Sequence, residues 1–459
     1  MSAGCEKGVP MEKAYQNIVN AVDKHRELMV DAVNFMWDNP ETGFREWKAN
    51  AYLIEKYEAL GYKLTKAGNI PGFYTVIDTG RPGPEILVMG ELDALLCSGH
   101  FHADPETGAA HACGHNAQSS ALLGIAAALK EEGMLDGLCG KIRLCAVPAE
   151  ETGELAFRQS LKDQGIIAQI SGKREFIHRG YFDGVDMAIL VHHLPVSYYS
   201  VDGCAVGVVA KRAVFKGVAA HAGANPHLGR NALYAATQGL SAINAIRETF
   251  QEKDYIRVHP IITEGGIAIN TIPDRVVVES YVRGLSFEGM ETANKRVNQA
   301  LCGAALSMGV ELEITDIAGS SPMIDNPGLA KVAGEAIKKL LPEAEYIFFD
   351  KVDTGSTDMG DVSCLMPTVH AYIPGVSGRG HGNDYRVSDP DLACLMSAKW
   401  QLAMLRILLE NNGARAKEIT ESFTPRFPSK AEYFAAHERL SGAGDRIFYD
   451  EAGNATVKL

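Results

Sequence analysis

Nowhere in the chain is there an unbroken apolar run of about 18 residues, the length a membrane-crossing helix needs, and the first thirty residues hold no apolar stretch resembling a secretory signal. Positive charge is also short. Lys and Arg number 44 against 57 Asp and Glu, and the net charge of -13 excludes the basic footprint by which proteins hold nucleic acid or anionic membranes. Cysteine is sparse and odd in number, 9 residues scattered from Cys5 to Cys394, so no disulfide framework is expected. These absences leave the expectation of a soluble, acidic protein of the cytoplasm. In that reducing setting clustered cysteines point to metal or to a reactive thiol, whereas isolated ones behave as small buried apolar residues. Cys145, Cys204 and Cys302 are expected to be of the second kind.

What the chain does have is bulk: 459 residues at 46% hydrophobic content exceed what one hydrophobic core usually serves, so two domains are expected. From residue 11 to about 64 apolar positions such as Ile18, Val22, Met29, Val33 and Met36 recur at helical spacing, interrupted at Asn39-Pro40. Short apolar runs at 85–89, 142–147 and 187–191 then alternate with helical stretches such as 117–129, the pattern of an α/β domain with a largely parallel sheet. Residues 209–320 read differently, as strand, helix, two strands, helix and strand. In 276–283, Val276, Val278, Ser280 and Val282 alternate with Val277, Glu279, Tyr281 and Arg283, so one sheet face should be covered by two helices. The expected architecture is a discontinuous α/β catalytic domain (1–208 and 321–459) carrying an inserted βαββαβ, ferredoxin-like domain (209–320). The stretch after about 414 shows little periodicity and is assigned no function.

Open α/β sheets bind ligands beyond the carboxyl ends of their strands, and the candidate ligands gather there. Asp93 follows the run 86–89, Glu150 and Glu151 follow 142–147, His192 and His193 follow 187–191, and His381 lies in a glycine-rich loop after 368–373. His111-Ala112-Cys113-Gly114-His115-Asn116 adds a thiol and imidazoles within six positions, with Asn116 expected to cap the helix from Ala117. Each has a plainer explanation: solvated acidic loop, satisfied core histidine, mobile surface loop. Adjacent carboxylates at a strand end, however, are not cheaply desolvated unless something positive compensates them. A donor set of Cys, Glu and His suits a borderline transition metal rather than Ca²⁺ or Mg²⁺. Such a metal lowers the pKa of its water from about 16 toward about 7, and a spare carboxylate, Glu150, can then act as general base. Either His192 or His193 can face the cleft. A nucleophilic Cys113 is a weaker alternative.

Further motifs join these. Asn39-Pro40-Glu41-Thr42-Gly43-Phe44, Gly90-Glu91-Leu92-Asp93-Ala94-Leu95, the Cys113 motif, Glu150-Glu151, Ala220-His221-Ala222-Gly223-Ala224-Asn225-Pro226-His227, the run 265–274 and the run 356–363 together resemble the di-metal aminoacylase and glutamate-carboxypeptidase superfamily. The resemblance is to its amidohydrolase branch, with aminobenzoyl-glutamate and auxin-conjugate hydrolases. It implies that Cys113 bridges two divalent ions, Mn or Zn, completed by His115, Glu151, His192 and His381. Glu150 is implied as base and Asp93 as a carboxylate orienting a ligand. His221 is implied to reach the active site of the second subunit of a homodimer, with the inserted domain as lid and dimerisation element. Asn270 and Arg283 are implied to hold the substrate's carboxylate. The expected substrate is an N-acyl, aryl-acyl or aminoacyl amino acid, including dipeptides. Two departures stand out: Asn116 where Asp is usual, and Glu91 where many relatives carry Asp or His. They favour, as the alternative, a non-catalytic ligand-binding or assembly subunit.

Overall fold

The computed structural model describes residues 11–459, and Cys5 lies outside them. The chain divides into two compact units, the first comprising the chain up to Cys204, Ile324–Val352 and Asp361–Arg426, the second Ala205–Met323, Asp353–Gly360 and Phe427–Leu459.

The first unit is built on a nine-stranded sheet. Its centre is four strands, Lys141–Val147, Glu85–Glu91, Met187–His193 and Thr368–Ile373, side by side and all parallel. Phe73–Asp78 on one flank and Tyr199–Ala205 on the other run antiparallel to their neighbours. The central strands are buried along almost their whole length, which is why they read as continuous apolar runs rather than as alternating patterns. Because the four are parallel, their carboxyl ends share one edge.

Two of the helices packed beneath the sheet are deeply buried. His115–Ala128 is buried at every position, and small residues make that possible: a Cβ at Gly124 would meet the Met29 side chain at 2.4 Å. Its hydroxyls are satisfied by Ser119 donating to Glu91 O and Ser120 to Met29 O, both at 2.6 Å. The stretch Asp391–Leu409 is long and apolar enough to cross a membrane, but 83% of its apolar window is buried in the fold, and Trp400 Nε1 donates to Ala333 O at 2.8 Å. It is a core helix.

The second unit has the expected βαββαβ order: Gly207–Lys216, Ala232–Ile246, Arg257–Glu264, Arg275–Gly284, Phe287–Ser307 and Glu311–Ala318. Its sheet runs antiparallel throughout the pairs formed by these strands. The expected division kept 353–360 and 427–459 with the first domain; the structure groups both with the second. The physical reason for the latter is a hairpin, Gly442–Tyr449 with Ala455–Val457, that pairs onto the open edge of Glu311–Ala318. Edge hydrogen bonding needs no apolar alternation, so this hairpin left little trace in the sequence. All eight described cysteines are free thiols; Cys145 and Cys302 are buried as expected, while Cys204 is only half-buried.

Lys211 crosses the core of the second unit, 1% exposed, and donates to Asp316 and Asn298, while Asn298 Nδ2 donates to Asp316 Oδ2 at 2.8 Å. Burial pulls the Lys211 ammonium below its ordinary pKa, against the attraction of Asp316. Replacing Asp316 by Ala should destabilise this unit by about 3–5 kcal/mol, whereas Lys211→Met with Asp316→Leu should cost far less, since no charge is then buried alone. Denaturant unfolding of the two variants measures the difference.

Candidate metal centre

Gly114 shapes the Cys113 motif. It adopts φ +92°, a conformation open to glycine, and it is the N-cap of the helix His115–Ala128. Asn116 is therefore not the cap; it lies inside the first turn, buried, with Nδ2 donating to Val33 O at 3.4 Å. The turn at Gly114 sets Cys113 before the helix and His115 at its first position, so both side chains serve one site.

Around them the four strand ends converge. Cys113, His115 and His192 offer one ligand atom each within 4.8 Å of one another, and so do Cys113, Glu151 and His381, and His115, Glu150 and Glu151. Cys113 Sγ lies 3.4 Å from His192 Nε2. His193 turns the other way, buried with Nε2 against Ala393 O at 2.8 Å, because successive strand residues point to opposite faces. His111 is buried next to the motif and joins none of these groups. His381 N donates to Ala112 O at 2.8 Å, which ties the glycine-rich loop to the thiol segment. Asp93 sits behind: its carbonyl oxygen accepts from His115 Nδ1 at 2.9 Å, if that nitrogen carries the proton, and Oδ2 accepts from Glu151 N at 2.9 Å. One residue thus fixes both an imidazole and a carboxylate.

Electrostatics set the site apart. Burial raises the Cys113 thiol, and the Glu151 charge raises it further. Burial would also raise Glu151, but His381, with His115 and Cys113, outweighs it and brings the carboxyl from 4.5 to about 2. His381 in turn rises from 6.5 to about 11 beside Cys113 and Glu151. Burial, with the His370 ring next to it, lowers His192 to about 3, leaving its ring neutral, the form that ligates. The donor atoms fit a divalent ion: His115 Nε2 and Glu151 Oε1 are buried, and no hydrogen bond reaches either, although His381 Nε2 is 3.1 Å from Glu151 Oε1 and Glu91 Oε2 is 3.1 Å from His115 Nε2. Imidazole nitrogen and carboxylate oxygen left without hydrogen bonds around a thiol is the arrangement a borderline metal satisfies.

Sequence reasoning named Glu91 only as a departure from the family pattern and missed Lys173, Gln118 and Tyr385. Glu91 is fully buried; burial pushes its carboxyl up, but the Lys173 ammonium and His115 hold it below the usual range. Lys173 Nζ is 2.5 Å from Glu91 Oε1, and Gln118 Nε2 donates to Oε2 at 2.9 Å. Lys173 lies on the short helix Gly172–His178, where nothing local marks it. Tyr385 is buried with its hydroxyl close against Gly114, where a Cβ would meet it at 2.6 Å.

The remaining candidates belong to the second unit. His221 is exposed, and its Nδ1 accepts from Gly223 N at 3.2 Å and Ala224 N at 3.0 Å, so a neutral ring carries its proton on Nε2. Asn270 is beside it, with its carbonyl accepting from Ala222 N at 2.9 Å. Arg283, half-buried at the end of its strand, donates to Ser356 Oγ at 2.8 Å and lies over the Tyr281 ring.

Comparison with known proteins gives the family. The sequence pattern of Peptidase family M20/M25/M40 matches residues 87–403. The chain belongs to that family. Among M20 relatives, one of the two p-aminobenzoyl-glutamate hydrolase subunits of Escherichia coli is 30% identical over 71% of this chain and 65% of its own length. This chain thus aligns with just under two thirds of that relative. The Xaa-Arg dipeptidase of Mus musculus is 28% identical over 83% of this chain and 85% of its own. The crystal structure of a dinuclear metal-binding M20 peptidase from Bacillus subtilis has the same fold, with a TM-score of 0.62 at 18% identity over 84% of this chain and 99% of that one.

The His381–Glu151 pairing makes a pH prediction for the metal-free protein. A His raised from 6.5 to about 11 stabilises fully below 6.5 and loses that contribution as pH rises through about 11. A carboxyl lowered from 4.5 to about 2 stabilises above 4.5 and loses it as pH falls through about 2. The difference in Tm between chelator-treated wild type and His381→Ala should be widest between those two windows and shrink on both sides, as a thermal-melt series in pH would read.

Proposed function

We propose that the chain is a metal-dependent amidohydrolase that cleaves the amide joining an acyl, aryl-acyl or aminoacyl group to an amino acid with a free carboxylate. One observation carries the reading: Cys113 Sγ belongs to two separate three-residue donor groups, with the Glu150 carboxylate alongside. Cys113, His115 and His192 would hold one divalent ion, and Cys113, Glu151 and His381 the other, Zn or Mn. When bound, the pair supplies an acidified water and a Lewis acid for the amide carbonyl. Glu150 takes the proton from the attacking water and returns it to the leaving amine nitrogen. Asp93 keeps His115 in the tautomer that presents Nε2 inward. His221, with Nδ1 occupied by backbone N–H groups, has Nε2–H to donate to the developing oxyanion. It would do so across a homodimer, with the second unit as lid and dimerisation domain. Arg283 and Asn270 would take the substrate carboxylate, the guanidinium fork suiting that shape. The names of the two relatives, one concerning glutamate and one Xaa-Arg, support an amino acid with a free carboxylate as the leaving half.

A ligand-binding or assembly subunit without catalysis is the second reading, favoured by the Escherichia coli relative's being named as part of a larger hydrolase. Metal content and turnover separate the two. The chain should carry two ions, lost in Cys113→Ala, and should hydrolyse N-acyl amino acids, dipeptides or aminobenzoyl-glutamate in a chelator-sensitive way. Glu150→Gln should keep both ions and lose about 10²–10⁴-fold in kcat. Undiminished turnover in that variant sinks the mechanism, and a metal-free protein that still binds ligand favours the non-catalytic reading. The free thiols of the described chain suit the cytoplasm.

A further inference from the structure

The motif Asn39-Pro40-Glu41-Thr42-Gly43-Phe44 contributes no atom to the three donor groups, yet it and the next two residues abut the loops that do. Glu41 O accepts from Ala94 N at 2.7 Å, next to Asp93. Gly43 is pressed against the carboxylate loop so closely that a Cβ there would meet the Arg158 guanidinium at 2.5 Å and Ala149 Cα at 3.0 Å. Glu46, fully buried, accepts from Ala149 N through Oε1 at 2.7 Å. From the other side Arg158, 2% exposed, donates to Ala149 O at 3.4 Å, to Ile170 O, and to Glu151 O.

The residue so gripped is strained. Ala149 has φ +56° without being glycine, a conformation that persists only where the surroundings over-determine it. It immediately precedes Glu150 and Glu151. With Ala149 in extended backbone instead, the chain would leave the strand Lys141–Val147 in another direction, and both carboxylates would miss the thiol.

We infer that Glu46 and Arg158 are positioning residues, a clamp that holds Ala149 in its left-handed conformation from its N–H and its carbonyl side and so aims Glu150 and Glu151. The inference rests on the roles of base and ligand proposed for those two carboxylates. Neither clamp residue touches substrate. Glutamine at 46 keeps the acceptor, leucine removes it, and glycine at 149 removes the strain that the clamp has to hold.

The test uses the full-length protein with and without metal. Amide hydrogen exchange of the segment 147–153 should speed up about tenfold or more in Glu46→Leu and in Arg158→Lys, which keeps the charge but loses the fork, and stay near wild type in Glu46→Gln. In the metal-loaded protein Glu46→Leu should lower kcat about 10–100-fold while KM stays within about threefold, since a misplacement of about an ångström is enough for that. Adding Ala149→Gly to Glu46→Leu should recover at least about threefold of the loss, because glycine takes the left-handed conformation unaided. Wild-type exchange in a folded Glu46→Leu or Arg158→Lys protein overturns the clamp, as does equal damage from Gln and Leu at 46 or the absence of recovery on adding Ala149→Gly. If wild type loaded with metal hydrolyses no amide, the proposed function falls while the exchange measurement still decides the clamp.

Discussion

Glu91, Asp93, Glu150, Glu151 and the Cys113 thiol all end up at or beyond the carboxyl ends of four adjacent parallel strands, and such a concentration of largely shielded acids opposes its own assembly. The fold answers this repulsion from several directions. Lys173 neutralises Glu91 from below the sheet edge, Arg158 grips the carboxylate loop by its carbonyls, and His381 lies against Glu151. Burial and the Asp93 charge leave Glu46 with its carboxyl well above the usual range. Among the donor atoms themselves the compensation is protons on imidazoles such as His381, which must leave before the ring can ligate, and a deficit of positive charge then remains. Divalent ions fit that remaining deficit.

The parallel arrangement explains why sequence-distant residues meet. Each central strand ends in a loop with one or two polar side chains, and parallel pairing alone brings the loop ends to one edge. The arrangement was legible because buried parallel strands read as bare apolar runs, and whatever follows each run must sit at its carboxyl end. Asp93, Glu150, Glu151 and His192 could be found that way without knowing how the strands are ordered.

Other features had no comparable signal. The choice between His192 and His193 depends on which face of a strand each occupies, and in a strand buried on both faces the apolar pattern does not distinguish them. Gly114 rather than Asn116 caps the helix, since the backbone turn needed there favours a residue without a Cβ over one with a capping side chain. Lys173 and Arg158 come from short helices after the carboxylate loop and look like ordinary surface cations; only the sheet edge, once assembled, shows that they are interior. The hairpin at 442–457 is held by ladder hydrogen bonds along an edge, so its composition tells little about it.

That hairpin also governs the order in which the polypeptide can be completed during synthesis. Ala318 N donates to Ser441 Oγ across 123 residues, and the strand before it, Glu311–Ala318, has one edge open until Gly442–Tyr449 has been made. Between the two, the ribosome delivers Thr368–Ile373 and the helix Ser397–Leu409, both belonging to the other unit. Each unit therefore waits on sequence that lies beyond a piece of the other, and an unpaired strand edge persists on the nascent chain meanwhile. Such an edge is open to pairing with a neighbouring chain until residues 442–449 have been made.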